Sequence, residues 1–359
     1  MLYKLKDIFD LQMGKTPSRN NIEYWNTNDY KWVSIADLTK TDKYIYDTKE
    51  YLSKKAVNES GIKIIPANTV IMSFKLSIGK TAITAEDMYS NEAIMAFHDK
   101  HIVEILPEYI FYLFKYKNWD DGSNKAVMGK TLNKAILSEV EIDICSIEEQ
   151  RKIVNVLDKI MNLISARKKE LSYLDTFTKA RFVELFGDPI RNTQNRPTTE
   201  FINVVKMQRG FDLPVQDRQQ DGEIPVYGSN GALDYHNVAK IHGGVITGRS
   251  GTIGKVFYTE GDFWPLNTSL FSADTHGNNV IYLGYLLQLF DLTRFVEGTG
   301  VPTLNRNMFH NKQIIDVPID EQRVFADFVH QIDKSKSAVK KALDETQLLF
   351  DSLMQEYFD

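Results

Sequence analysis

The chain contains an internal repeat. The nine residues that begin at Ser146 (SIEEQRKIV) resemble the nine that begin at Pro318 (PIDEQRVFA), and their Glu-Gln-Arg cores lie 172 positions apart. A Thr-Leu-Asn tripeptide occurs at residues 131–133 and again at residues 303–305, with the same offset. A chain duplicated in this way should fold as two similar units related by a pseudo-two-fold axis. Two similar surfaces in turn imply a partner with two similar sites.

The front part of each repeat has diverged in length. A Gln-x-Gly motif ends at Gly14 and again at Gly210, an offset of 196. An Ile-Gly-Lys turn has its glycine at Gly79 and again at Gly254, an offset of 175. The two glycines are therefore 65 positions apart in the first repeat and 44 in the second. Loops that differ this much should not present the same side chains, so two different binding surfaces are predicted.

Each repeat ends in a long predicted helix. From residue 147 to about 186 the apolar residues follow a 3-4 alternation, with a capping-box pair, Ser146 and Glu149, at the start and Gly187 at the end. The second copy keeps this register 172 positions later. About forty residues at ~1.5 Å per residue give a helix of roughly 60 Å. The apolar positions predicted to pair the helices are Ile153, Leu157, Ile160, Leu171, Val329, Ile332, Val339 and Leu343.

The two helices are expected to pair with each other. Arg167 and Thr178 interrupt the apolar stripe of the first helix, where the second helix has Val339 and Phe350. Each stripe alone is imperfect, so mutual packing explains the pattern better than self-pairing. The alternative is that each is a solvated, charged helix.

The segments outside the helices have the pattern of mixed α/β globules. Strand-like runs at 68–74 and 244–247 lead into glycine-containing turns, and aromatic-rich runs at 108–114 and 282–287 predict one short core helix in each repeat. The predicted fold class is α+β, with two similar globular domains separated by two long antiparallel coiled-coil helices. The predicted domains are residues 1–146 and 189–319 for the globules, and residues 147–188 and 320–359 for the helices.

The composition is that of an ordinary globular protein. The chain is 43% hydrophobic and 25% charged, and its formal net charge of −5 does not indicate a strong nonspecific binder of nucleic acid. No apolar run reaches the length of a membrane span, and the single cysteine, Cys145, has no internal disulfide partner, so a cytoplasmic location is predicted. His98 and His101 lack nearby Cys or carboxylate clusters, and no metal site is predicted.

The motifs of several enzyme classes are missing. Gly-Lys-Thr begins at Gly14, Gly79 and Gly129, but none has the glycine five positions earlier that a phosphate-binding P-loop needs. There is no Asn/Asp-Pro-Pro-Tyr tetrapeptide of the amino-methyltransferases and no Gly-x-Ser-x-Gly nucleophile elbow. A recognition module is therefore favoured over two alternatives, which are a scaffold that does not bind DNA and a noncanonical DNA methyltransferase or nuclease.

The duplicated order of these motifs resembles a known family. A globule with an Ile-Gly-Lys turn and a Leu-Asn loop, followed by a helix that opens with Ile-x-Glu-Gln-Arg, is similar to the repeat of type I restriction–modification specificity subunits. The resemblance implies two target-recognition domains, each reading half of an asymmetric bipartite site in double-stranded DNA. It also implies helices that dock two methyltransferase (modification) subunits and set the half-site spacing, and restriction subunits that join them. S-adenosylmethionine and ATP are expected on those partners, and no cofactor on this chain.

Candidate DNA contacts lie in three loops of each repeat. Phosphate contacts need Lys or Arg, and base readout needs Arg, Lys, Asn or Gln at a rigid tip. Such residues follow the Gln-x-Gly motif and flank the Ile-Gly-Lys turn and the Thr-Leu-Asn loop. The predicted contacts are Lys15, Arg19, Lys75, Lys80, Lys130, Asn133 and Lys134 in the first repeat, and Arg209, Arg218, Arg249, Lys255, Asn305 and Arg306 in the second. No catalytic residue is predicted.

Overall fold

The chain forms two compact units. The structure, a computed structural model, describes residues 1–25, 27–75, 77–119, 132–219, 221–298 and 302–359. Unit 1 comprises Met1–Ser165 and Asp344–Asp359, and unit 2 comprises Ala166–Leu343, so each unit combines a globular region with part of both long helices. The domain boundaries predicted at 146, 188 and 319 stay predictions. In the part of the chain that is described, no helix is long and apolar enough to span a membrane.

Unit 1 is built from short strands and helices that precede the first long helix. Its strands are β1 (Leu2–Lys4), β2 (Phe9–Met13), β3 (Tyr30–Val33), β4 (Tyr44–Ile45), β5 (Glu50–Leu52), β6 (Val70–Ser73), β7 (Thr81–Thr84), β8 (Tyr89–Ser90), β9 (Ile94–Asp99) and β10 (Glu141–Asp143). Its short helices are α1 (Leu5–Ile8), α2 (Ile35–Lys40), α3 (Lys54–Ser60), α4 (Pro107–Tyr116) and α5 (Lys134–Glu139), with a 3-10 turn at Ile22–Tyr24. The first long helix is α6 (Ile147–Phe186).

The main sheet of unit 1 has the strand order β2-β9-β6-β7-β4. Each of its first four strands is antiparallel to its neighbour, and β4 runs parallel to β7. A second sheet, β5-β3-β8, packs around Trp32, and β1 pairs with β10. Every residue of β6 and β7 is buried, because both strands lie inside the main sheet and α4 covers them. The residues from Tyr109 to Phe114 in α4 are all buried, which confirms the prediction that these aromatics belong to the core.

Unit 2 continues with a second set of short elements. Its strands are β11 (Thr198–Glu200), β12 (Lys206–Arg209), β13 (Ile224–Gly228), β14 (Gly231–His236), β15 (Ile241–Gly248), β16 (Val256–Pro265), β17 (Ser269–Asp274), β18 (Val296–Glu297), β19 (Thr303–Leu304) and β20 (Gln313–Ile315). Its helices are α7 (Phe201–Val204) and α8 (Val280–Phe290), with 3-10 turns at Val215–Asp217, Leu292–Phe295 and Arg306–Met308. The second long helix is α9 (Ile319–Phe358).

The main sheet of unit 2 repeats the first four strands of the main sheet of unit 1. It runs β12-β17-β15-β16-β13-β14, and β13 lies parallel to β16. Its first four strands occupy the places of β2, β9, β6 and β7, and the β11–β20 pair repeats the β1–β10 pair. Tyr227 of β13 pairs in parallel with Pro265 as Val33 of β3 pairs with Ser90, so the hairpin β13–β14 repeats the antiparallel pair β3–β5. The repeat in the sequence is thus a repeat of architecture, and the predicted α+β class is confirmed. The difference in length has a structural cause, since unit 1 also contains α2, β4 and α3, which have no counterpart among the described elements between β12 and β15 of unit 2.

The long helices are confirmed, and each has 40 residues. The hydroxyl oxygen of Ser146 accepts a hydrogen bond from the Glu149 N–H at 3.3 Å, which satisfies one of the free donors at the start of α6. After Phe186 the backbone of Gly187 adopts φ +79°, which favours glycine and ends the helix.

In unit 2 the two helices pair in antiparallel fashion. The ring of Phe182 on α6 lies 5.3 Å from that of Phe325 near the start of α9. Earlier on α6, Asp175 forms an ion pair of 2.6 Å with Lys336. Earlier still, the Arg167 guanidinium donates to the carbonyl oxygen of Ala342. Positions on α9 rise as positions on α6 fall, and Arg167, a polar interruption of the seam, makes its contact across the pair.

Each long helix ends on the same kind of aromatic contact. In unit 2, Phe186 packs against Tyr282 of α8 with ring centroids 5.3 Å apart. In unit 1, Phe358, which is 172 positions later, packs against Tyr109 of α4 at 5.5 Å. The repeat therefore extends to how a helix end is fixed to the globule of its unit.

The apolar positions predicted to pair the helices differ in burial. Four are buried, namely Ile153, Leu157, Ile160 and Val329. Four are partly buried, namely Leu171, Ile332, Val339 and Leu343. How much each of these residues contributes to pairing of the helices stays a prediction.

Candidate nucleic-acid interface

The loops that carry the predicted DNA contacts meet at one edge of the main sheet in each unit. In unit 1, Met13 at the end of β2 pairs with Met95, and Ser73 at the end of β6 pairs with Ile94 at the start of β9. Thr81, at the start of β7, pairs with Met72 of β6. Because neighbouring strands are antiparallel, strand ends and strand starts share an edge. We call this the loop edge of unit 1, formed by residues 14–19, 74–75, 77–80, 90–93 and 132–134.

Backbone hydrogen bonds connect the loops of this edge. The Lys15 N–H donates to the Ser90 carbonyl at 2.8 Å, and the Gly14 N–H donates to the carbonyl of residue 94 at 3.0 Å. The Phe74 N–H donates to the Ala93 carbonyl at 2.9 Å, and the Phe74 carbonyl accepts from the N–H of residue 132 at 3.2 Å. Four segments that are distant in sequence are thereby held in one arrangement.

Unit 2 repeats these four hydrogen bonds at its own loop edge, formed by residues 210–213, 249–255, 265–268 and 303–306. The Gly210 N–H donates to the carbonyl of residue 269 at 3.1 Å, and the Phe211 N–H donates to that of residue 265 at 2.8 Å. The Arg249 N–H donates to the carbonyl of residue 268 at 2.9 Å, and its own carbonyl accepts from the Leu304 N–H at 2.8 Å. The two units thus share a backbone frame on which the side chains differ.

The repeated glycines are required by this frame. A Cβ atom on Gly14 would lie 2.2 Å from the Asn91 carbonyl oxygen, and one on Gly210 would lie 2.3 Å from the Leu266 carbonyl oxygen, so neither site has room for a side chain. The turn glycines have positive φ, +85° at Gly79 and +93° at 254, a conformation in which other residues are strained. The repeated motifs are therefore explained first by the fold.

The predicted basic residues of unit 1 lie in different surroundings. The ammonium of Lys15 is exposed and donates to a backbone carbonyl, that of Lys75 lies 5.2 Å from the centroid of the Phe74 ring, and Lys80 is exposed. Arg19 is committed to the fold, because its guanidinium stacks 3.8 Å from the Trp25 ring centroid and is paired with a glutamate through both terminal nitrogens. Lys130 lies outside the described residues.

The predicted basic residues of unit 2 also lie in different surroundings. Arg209 is exposed at the end of β12, Arg249 is half-buried beside β15, and the Lys255 ammonium donates to the Asn230 side chain at 2.7 Å. Arg218 does not belong to this set. Its side chain is only 16% exposed, and it donates to a backbone carbonyl of its own loop and faces a carboxylate at 3.8 Å.

The asparagines of the Thr-Leu-Asn loops are helix caps. The Asn133 side-chain oxygen accepts from the backbone N–H of residue 136 at 2.8 Å, and that of Asn305 accepts from the N–H of residue 307 at 3.1 Å. This capping accounts for their repetition without any contact to DNA. The next residue in each copy, Lys134 and Arg306, lies at the loop edge and carries a positive charge.

Sequence reasoning missed the role of the glutamine in each Glu-Gln-Arg core. Gln150 is fully buried, accepts from the backbone N–H of Leu106 at 2.9 Å and donates to two carbonyls. Gln322 is buried in the same way, accepts from the N–H of Asn279 at 2.9 Å and donates to the Val317 carbonyl and the residue 278 side chain. Residues 106 and 279 cap α4 and α8, so each glutamine ties the long helix to the short helix of its globule. The sequence did contain a signal for this role, because the helical period places each glutamine on the buried face of its helix.

Two histidines are held largely neutral by their surroundings. Burial lowers the pKa of His98 on β9, although Asp10 opposes the shift. Burial, Arg306 and Lys206 lower the pKa of His310, whose Nε2 accepts from the Met207 backbone N–H at 3.2 Å. Neither geometry resembles a metal site, and within the described residues no group of three His, Cys, Asp or Glu could hold a metal ion.

Comparisons with known proteins agree with this architecture. A family model for the type I restriction modification DNA specificity domain matches residues 1–173 and 192–346. The type I restriction enzyme MjaIX specificity subunit of Methanocaldococcus jannaschii is 32% identical over 198 residues, which cover 53% of this chain but only 45% of that protein. The EcoprrI specificity subunit of Escherichia coli is 23% identical over 364 residues, which cover 93% of this chain and 88% of that protein.

Two solved structures share the fold. The S subunit of the type I restriction-modification system from M. genitalium matches with a TM-score of 0.61 at 15% identity and covers all of this chain and 96% of its own. A chain from a structure of complex assembly and conformational transition of the type I R-M system matches with a TM-score of 0.62 at 14% identity, covering 100% and 97%.

Proposed function

The chain belongs to the type I restriction–modification DNA specificity family, and we propose that it is the subunit that selects the DNA sequence for such a complex in the cytoplasm. The proposal rests on the two loop edges, which gather Lys, Arg and turn backbone from three loops on a rigid sheet. Phosphate contacts and base readout in the major groove require these groups on such a support.

Each unit would read one half of a bipartite site. The shared frame gives both edges the same way of approaching a duplex, while the side chains on it differ. Lys15 in unit 1 corresponds to Phe211 in unit 2, and Phe74 corresponds to Arg249. Different side chains in the same frame should select different bases, so the proposed target is asymmetric.

Methylome sequencing tests this function. Cells that carry the modification genes of the system would be compared with and without the gene for this chain. We expect one asymmetric bipartite motif to be methylated only when the chain is present. A methylome that does not depend on the chain would contradict the proposal, and a palindromic motif would contradict the separate roles of the two units.

We further propose that the helices dock two copies of a modification subunit. Phe177 on α6 and Leu349 on α9 are 172 positions apart, and they expose 53% and 51% of their surface. Exposed apolar side chains at equivalent positions of a repeat suit two copies of one partner. Leu163 is equally exposed at 51%, but its counterpart in the other helix is Ser335.

Native mass spectrometry of the complex tests the docking. Phe177→Glu and Leu349→Glu should each reduce the modification subunits per chain from two to one, and the double variant should bind none. Leu163→Glu introduces the same charge at a position without an apolar counterpart, and it should retain both subunits. Full occupancy in the double variant would exclude this docking surface.

The chemistry is assigned to the partners. Methyl transfer from S-adenosylmethionine would belong to the modification subunits, and ATP-driven cleavage to the restriction subunits. Purified chain incubated with labelled S-adenosylmethionine and DNA should therefore transfer no methyl group. Transfer that a point substitution in this chain abolishes would favour a noncanonical methyltransferase instead.

The helix pair is also proposed to set the spacing between the half-sites. One heptad inserted after Arg167 and one after Val339 keeps both apolar registers and lengthens each helix by ~10 Å. The methylated motif should keep both halves and gain about three spacer base pairs at ~3.4 Å each. An active variant with an unchanged spacer would show that the helices only dock partners.

A further inference from the structure

A side-chain pair links two loops at the same place in both loop edges. In unit 1 the Thr16 hydroxyl donates to the Glu92 carboxylate. In unit 2 the Asn267 amide donates to the Asp212 carboxylate. Thr16 and Asp212 each lie two residues after the glycine of the Gln-x-Gly motif. Glu92 and Asn267 each lie two residues before the start of the neighbouring strand, β9 or β17. The two pairs are equivalent in position, but the acidic residue precedes β9 in unit 1, whereas in unit 2 it follows the Gln-x-Gly motif.

In both units the carboxylate is the more exposed member. Glu92 and Asp212 are exposed, whereas Thr16 and Asn267 are partly buried. The donor thus supports a carboxylate that remains open to solvent at the edge. Burial raises the pKa of Glu92, but the hydrogen bond from Thr16 and the charges of Lys75 and the nearby arginine outweigh this effect, so its pKa lies below the usual value. Glu92 is therefore ionised at neutral pH.

A simple link between two loops would not require an acid. Two neutral side chains can form such a hydrogen bond, and a negative charge at an edge that approaches phosphates is electrostatically unfavourable. One carboxylate is nevertheless present in each pair, although different positions supply it. A carboxylate accepts hydrogen bonds and cannot donate them, so it fits a hydrogen-bond donor on the ligand. In the major groove, the base-edge donors are the exocyclic amino groups of cytosine and adenine.

We propose that Glu92 and Asp212 are specificity-determining residues, each accepting a hydrogen bond from the exocyclic amino group of one base in its half-site. Thr16 and Asn267 are positioning residues that orient these carboxylates. The inference rests on the proposed function and adds to it one base position in each half-site. At that position the carboxylate rejects a base edge that offers only acceptors, because two acceptors facing each other repel.

The test uses Glu92→Gln and Asp212→Asn in the assembled complex with its modification subunits. Each substitution keeps an oxygen that accepts from Thr16 or from Asn267, so the link and the fold are retained. The amide group adds a donor and removes the charge, so bases with acceptor edges become acceptable. Methylation would be measured on a library in which every position of both half-sites is varied.

We expect Glu92→Gln to reduce the preference for an amino-bearing base at one position of one half-site, on the order of tenfold. Asp212→Asn should do the same at one position of the other half-site. As controls, Glu141→Gln and Glu200→Gln remove an exposed acid from β10 and β11, away from the loop edges, and they should leave the motif unchanged.

Three outcomes would overturn the inference. An unchanged base preference in a folded, active Glu92→Gln or Asp212→Asn complex would show that the pair only links loops. A uniform change across all sequences would indicate long-range electrostatics and not base readout. A relaxed preference at the same half-site for both variants would contradict the assignment of one carboxylate to each half. If the wild-type complex showed no motif, the proposed function itself would fail, and that result is distinct from the other three.

Discussion

The two loop edges share a backbone frame, but several of the side chains on that frame differ. The four backbone hydrogen bonds that join their loops agree in partners, and three of them agree within about 0.1 Å in length. Unit 1 nevertheless contains α2, β4 and α3, which have no counterpart among the described elements of unit 2. The comparison shows that the repeat preserves the backbone hydrogen bonds that join the loops, whereas the length and the side chains of the loops differ. Such a division suits a protein that must present two unlike surfaces in the same way.

The largest expected effect comes from the glutamines that tie each long helix to its globule. Gln150→Leu would leave one backbone donor and two carbonyls without partners in a fully buried site, and Gln322→Leu would do the same in unit 2. We expect each to lower the free energy of unfolding by about 2–5 kcal/mol, measured by urea denaturation. Hydrogen exchange should locate the loss in unit 1 for the first variant and in unit 2 for the second.

An exposed glutamine provides the control for this prediction. Gln331 lies on α9 with its side chain in solvent, and Gln331→Leu should change the free energy of unfolding by less than about 0.5 kcal/mol. If one buried glutamine could be replaced without loss of stability and the other could not, the two units would differ in how the long helix is attached to the globule.

The next effect tests the backbone frame itself. A methyl group on Gly14 or Gly210 would overlap backbone carbonyl oxygens that cannot move aside, so Gly14→Ala and Gly210→Ala should each cost roughly 1–3 kcal/mol or more. Gly261 has ordinary backbone angles and open space around it, so Gly261→Ala should be neutral or slightly stabilising. Thermal denaturation of the three variants checks this. Tolerance of alanine at only one of the two crowded glycines would show that the frames differ.

A smaller effect depends on pH. His98 in unit 1 and His310 in unit 2 both have pKa values below the usual 6.5. The unfolded chain therefore binds the proton more readily than the folded chain, so stability is full above about pH 6.5 and falls as the pH drops through the folded-state pKa values. Each histidine contributes a slope of at most about 1.4 kcal/mol per pH unit. His310→Gln should flatten this dependence in unit 2 only, and His98→Gln in unit 1 only, as read by urea denaturation with hydrogen exchange between pH 5 and 7.5. A slope that neither substitution alters would assign it to other groups.

Much of the fold could be predicted from the sequence because it depends on periodicity. The apolar register of α6 and α9 and the offset between their Glu-Gln-Arg cores are local patterns, and they are sufficient to predict long paired helices. The predicted site was less complete, because side-chain surroundings depend on residues far away in the chain. Arg19 and Arg218 carry the expected charge, yet the pairing of each with a carboxylate and the stacking of Arg19 on an aromatic ring cannot be read from neighbours in sequence.

The smallest expected effect concerns the lysine that ends each Ile-Gly-Lys turn. Lys80 and Lys255 are exposed at equivalent places, so both are predicted to contact phosphate. The Lys255 ammonium already donates a hydrogen bond to Asn230, whereas no described residue makes a hydrogen bond or ion pair with the Lys80 ammonium.

Loss of a phosphate contact weakens binding to all DNA sequences alike, and it should reduce the slope of log affinity against log salt concentration by about one. Lys80→Ala should approach that value and Lys255→Ala should fall below it, because part of the Lys255 charge is committed within the loop. Lys179→Ala removes the same charge from α6, which is not part of either loop edge, and should leave the slope unchanged. Fluorescence anisotropy of the complex on labelled duplexes, at several salt concentrations, measures all three. A loss confined to one half-site sequence would instead identify a base contact, and would place base readout on the turn as well as on the carboxylates beside it.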